Sequence, residues 1–136
     1  MGKLGDFLGW LTGLCFALAL LNYLVKWANK RWGAKLPKDS DLKKNYNTFM
    51  KFIIKNHRFF GFGAAISLGI HLFLQITFQW VSVTGLIAAG LLILNVLMGA
   101  YLFFKLKGTR GKLFKAHRIN TILLIAAVAV HVITKL

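Results

Sequence analysis

The sequence has no glutamate and only three acidic residues, Asp6, Asp39 and Asp41, against 18 lysines and arginines in 136 residues. A divalent-metal path or a proton relay would want carboxylates beside its histidines. Here every Asp lies outside the apolar runs. A single cysteine, Cys15, excludes a disulfide framework within the chain and reads as a small packing residue. Leu14 before it stands where a lipoprotein signal wants a small residue. There is one proline, Pro37, and no low-complexity tract.

Apolar residues fill the space left by the acids. They make up 57% of the chain, too many for an ordinary soluble domain of this size. Four runs are nearly long enough, or long enough, to cross a bilayer: Phe7 to Val25, Phe59 to Trp80, Val81 to Phe104 and Ile119 to Thr134. The expected fold is all-α: an integral-membrane, up-and-down four-helix bundle in one domain, 1–136, with spans over about 7–27, 52–79, 83–106 and 113–134. No small-x-small cleavage signal follows the first run, so it is expected to stay as a helix. The polar connection from Asn29 to Asn47 could hold a short surface helix capped by Asp39 or Ser40.

The positive charge is placed unevenly. Residues 26–58 carry ten Lys or Arg and residues 105–118 carry six, whereas the connection around Gln75 to Thr84 carries none. The positive-inside rule puts both basic segments in the cytoplasm and both termini outside, in a multi-pass protein of the cell membrane. A net charge of +15 would also suit nucleic acid, but no nucleic-acid module is visible. Anchoring to anionic lipid accounts for the charge.

The histidines carry the strongest pattern. "KNHRFFGFGAAISLGIH" (Lys55 to His71) and "KAHRINTILLIAAVAVH" (Lys115 to His131) both read K-x-H-R, twelve residues, then H, and they contain all four histidines. Fourteen residues of helix rise about 21 Å and return to within about 40° of the same face. Helices 2 and 4 run parallel in an up-and-down bundle. His57 and His117 then share one membrane level, and His71 and His131 the other.

Two imidazoles at each of two depths suit haem iron with bis-histidine ligation, the haems lying between helices 2 and 4. Without a C-x-x-C-H motif, attachment of the two b haems would be noncovalent. Gly61, one turn after His57, thins helix 2 for a flat ring. Arg58 and Arg118 follow the cytoplasmic histidines, with Lys55, Lys115 and Arg110 nearby as further partners for anionic propionates. At the outer level only Lys135 is comparable. Gln75, Gln79 and Trp80, and more weakly Asn95 and Tyr101, are candidates for a quinone site. Competing classes are a histidine-dependent metal or proton transporter and a haem-free structural membrane subunit.

Two H-x13-H helices separated by one helix resemble the di-haem four-helix core of membrane b-type cytochromes. That core occurs in the cytochrome b of quinol-oxidising respiratory complexes and, with slightly different spacing, in the ferric reductase-like transmembrane family. The likeness covers nearly the whole chain, although its specific motif is the four histidines and the adjoining H-R pairs. It implies that His57 and His117 ligate one haem iron, and His71 and His131 the other. It also implies electron transfer across the membrane, as a subunit or partner of a larger redox system that exchanges electrons with a protein or a quinone. Within these 136 residues neither the flavin and nicotinamide domains of the reductases nor the further helices of the respiratory cytochromes are expected.

Overall fold

A computed structural model describes residues 2–106 and 111–135. They form four long helices, α1 (Gly2–Arg31), α2 (Asp41–Phe78), α3 (Val83–Phe104) and α4 (Lys112–Ile133), with a 3-10 turn at Gly33–Lys35 and no strand among the described residues. All four helices are long and apolar enough to cross a membrane. Large apolar side chains such as Phe7, Trp10, Ile66, Phe73, Leu97 and Ile122 point outward. In water that would be costly; against lipid it is ordinary. Arg110, together with most of the "KGTRGK" connection, lies outside the described residues.

The expected surface helix and second span are one element. Ser40 caps it: its hydroxyl accepts from the Lys43 N–H at 3.2 Å and donates to the Pro37 carbonyl at 2.8 Å. From Asp41 to Phe60 the chain contains neither proline nor glycine, so nothing ends the helix before the apolar run begins. The result is 38 residues long. That is about 57 Å, well beyond the roughly 30 Å of a hydrocarbon core.

The described fold divides into two compact units, Trp10–Ala64 and Met1–Gly9 with Ala65–Leu136. In the first of these, α1 and α2 run antiparallel. The Tyr46 hydroxyl donates to the Val25 carbonyl at 2.6 Å, and the Lys43 ammonium donates to the Gly33 carbonyl. Gly33 is closely packed where it stands. A Cβ there would lie 2.7 Å from Asn29 Oδ1 and 2.9 Å from the Tyr46 ring.

In the other unit α3 and α4 pack antiparallel, with Ala88, Ala89, Leu92 and Leu124 buried. Small residues allow the close approach that membrane helices use in place of a hydrophobic driving force. A polar clamp crosses the seam. Asn120, 6% exposed, donates to the Leu91 carbonyl at 2.9 Å and to Asn95 Oδ1 at 3.2 Å. Asn95 in turn donates to Thr121 Oγ1 at 3.1 Å, and Thr121 donates to the His117 carbonyl at 2.8 Å. Asn120→Leu is expected to destabilise the helix pair by about 1 kcal/mol, the scale of interhelical hydrogen bonds in membranes. Unfolding in mixed micelles measures it, and an unchanged midpoint would show the clamp to be energetically idle.

Candidate functional site

In the unit Trp10–Ala64, His57 is half-buried and its Nδ1 stands 3.0 Å from the carbonyl oxygen of Ala19 on α1. A carbonyl can only accept, so Nδ1 carries the proton. The neutral ring then keeps its lone pair on Nε2. Arg58, the next residue, is exposed, with its guanidinium 4.8 Å from the Phe59 ring centroid. Gly61 has open space beside it, since a Cβ there would meet no atom of the described residues within 4 Å. Gly13, Gly69 and Gly90 are equally open among the described residues, so the space at Gly61 does not by itself distinguish it. Lys26 lies within electrostatic range of His57.

The unit Met1–Gly9 with Ala65–Leu136 holds the other three histidines. His71 repeats the arrangement of His57, with Nδ1 2.8 Å from the Gly5 carbonyl. Gly9 lets the ring lie against α1, because a Cβ there would come within 3.1 Å of His71 Cε1. His131 is held by hydroxyls instead. Its Nδ1 is 3.3 Å from Thr84 Oγ1 and 3.4 Å from Ser82 Oγ. Ser82 also caps α3 by accepting from the Gly85 N–H, so the start of that helix and the position of the imidazole are coupled. His71 and His131 are close enough to interact electrostatically, and Lys135 lies within range of His131. His117 sits beside Gly99, where a Cβ would stand 3.3 Å from its Cε1. Arg118 is exposed.

Each histidine therefore meets a small residue on the helix that precedes its own. Ala19 and Gly5 serve His57 and His71, and Gly99 and Gly85 serve His117 and His131. In α1 and in α3 those two positions are fourteen residues apart, the spacing of the histidines themselves. The internal repeat thus reaches α1 and α3, which share little else beyond hydrophobicity. The sequence signal was available as G-x13-A and G-x13-G, but glycine is frequent enough that the spacing gains meaning only once helix pairing is known. Lys26 was also missed, because it sits thirty-one positions before His57.

The other candidates fare differently. Gln75 Oε1 is buried without a hydrogen-bond partner among the described residues, and its amide group lies near Gly5. Gln79 and Trp80 are exposed. The Asn95 amide is engaged by Asn120 and Thr121, and Tyr101 is exposed. No group of three His, Cys, Asp or Glu residues gathers among the described residues. Imidazole ligands without a third donor suit a metal that brings its own equatorial nitrogens better than they suit a tetrahedral zinc site. Among the described residues, His57 and His71 each keep an Nε2 lone pair free of the main-chain bond, Gly61 has room beside it, and Lys26 and Lys135 lie within range of His57 and His131. Comparison with protein-family models, with curated proteins and with solved structures found no match to this chain.

Proposed function

We propose that this chain is a small membrane cytochrome that carries electrons through two noncovalent b-type haems, one held by His57 with His117 and the other by His71 with His131. The observation that carries the reading is the fixed tautomer of His57 and His71. Main-chain carbonyls take their Nδ1 protons, which leaves the Nε2 lone pairs for iron. The pairing of His71 with His131 draws further support from their electrostatic proximity. The pairing of His57 with His117 rests on the duplicated spacing.

Bound haem supplies one-electron chemistry at its iron. The polypeptide orients the imidazoles, excludes water from the ligand nitrogens and sets the electrostatics around them. Arg58, Arg118, Lys26 and Lys135 would meet the propionate carboxylates, and Gly61 would leave room for the ring. With the basic segments in the cytoplasm and the termini outside, the two levels of histidine connect the two membrane surfaces. The chain then acts as a subunit or partner of a redox system. For exchange with a quinone, Gln75 offers a buried amide oxygen that lacks a hydrogen-bond partner among the described residues.

The test is a reduced-minus-oxidised visible spectrum of the purified protein, with a pyridine haemochromogen assay for haem per chain. Two b haems per chain are expected. A folded, colourless preparation after haem has been supplied would overturn the reading.

A further inference from the structure

Away from the histidines, four residues of the unit Trp10–Ala64 form an open cleft of about 500 Å³: Trp27, Lys30, Arg31 and Lys35. We propose that this cleft binds a phosphate group, either the phosphodiester of an anionic lipid headgroup or a soluble phosphate. The volume falls within the roughly 300–1,000 Å³ of small-ligand sites. Three of the four lining residues are cationic and none is acidic. Asp41 pairs with Lys44, and no carboxylate among the described residues pairs with Lys30, Arg31 or Lys35. Like charges gathered in a concave site raise the local potential and favour an anion from outside.

The details favour phosphate in particular. Lys30 and Arg31 form the last turn of α1, and Lys35 follows at the end of the 3-10 turn, so three cations converge on one cleft. Arg31 lies 6.0 Å from the Trp27 ring centroid, and Trp32 packs edge-on against Trp27 at 5.2 Å. These aromatic contacts restrict the guanidinium, whose planar fork matches two phosphate oxygens, while the lysines act as point charges. The cleft also lies at the basic end of an apolar helix, in the position where aromatic and cationic side chains meet lipid headgroups. The proposal does not depend on the haem reading.

The experiment compares two variants of the full-length protein that lose the same charge. One is Lys30→Gln with Arg31→Gln and Lys35→Gln; the other is Lys38→Gln with Lys44→Gln and Lys51→Gln. Native mass spectrometry counts phosphatidylglycerol and phosphatidylcholine retained from mixed micelles, and calorimetry follows inorganic phosphate in lipid-free detergent. The cleft variant is expected to lose preferential phosphatidylglycerol retention by about tenfold or more, and the control variant by less than about twofold. Cleft-dependent binding of inorganic phosphate without lipid preference would support the site with a soluble source. Equal losses in both variants would mean diffuse charge anchoring and overturn it, as would a lack of cleft-dependent binding in both arms. Arg31→Lys keeps the charge and removes the fork. It decides the matter where the triple variant fails to fold, and unchanged binding in Arg31→Lys would overturn the assignment.

Discussion

Under the proposed ligation, His71→Ala is expected to reduce the haem content from two per chain to one, and His57→Ala to do the same at the other site. The double variant should be colourless. A bis-histidine iron that loses one axial ligand loses both a bond and the lock that one helix places on the ring, so retention through purification is not expected. The substitution also removes the hydrogen bond from Nδ1 of His71 to the Gly5 carbonyl. That loss costs only about 1 kcal/mol and does not by itself unfold a membrane protein. Haem loss and misfolding are therefore separable by circular dichroism on the same sample. Asn56→Ala, which alters the residue before His57 and removes only an amide that donates to Phe52 of its own helix, should leave the pigment intact. If His57→Ala and His71→Ala both keep two haems per chain, the ligand assignment fails.

Gly85→Val tests the positioning role of α3. A Cβ at Gly85 would stand 3.0 Å from Cε1 of His131 and 2.9 Å from Ser82 Oγ, so the imidazole has to swing away from its hydroxyl partners. Disturbing the groups that orient a metal ligand commonly lowers affinity about 10- to 100-fold. Loss of the haem assigned to His71 and His131 is expected, with the other retained. Gly90→Val on the same helix is the matched control, because a Cβ there would meet no atom of the described residues within 4 Å. Both changes replace a helix-weak residue with a slightly better one, worth a few tenths of a kcal/mol, so neither should weaken α3 as a helix. Equal spectra from the two variants would show that Gly85 does not position His131. Gly85→Ala should fall between wild type and Gly85→Val, since its smaller side chain displaces the ring less.

The four apolar runs and the histidine repeat were legible because each is a local pattern, one of hydropathy and one of spacing. The continuity of α2 was not. Asn45, Asn47, Lys51, Lys55 and Asn56 interrupt its hydropathy, while the property that lets the helix continue, the lack of proline and glycine from Asp41 to Phe60, concerns the backbone. Within the candidate site, the histidines could be read from the chain and their Nδ1 partners could not. Ala19 and Gly5 act through main-chain carbonyls, which leave no mark on residue type. From sequence Asn95 reads only as a weak quinone candidate; that its amide joins α3 to α4 is visible only once Asn120 and Thr121 lie opposite.

The matched fourteen-residue spacing of Gly85 with Gly99 and of His117 with His131 has a consequence for how such a chain can change over generations. One residue inserted between the two glycines would turn one of them about 100° around the helix axis and shift it about 1.5 Å along it. One glycine would still face its imidazole and the other would face elsewhere. A compensating insertion in α4 would restore the count, so the two helices can alter their length only together. Connecting segments bear no such constraint. Insertions and deletions should accumulate there, while the interval between paired positions is inherited as a single coupled trait.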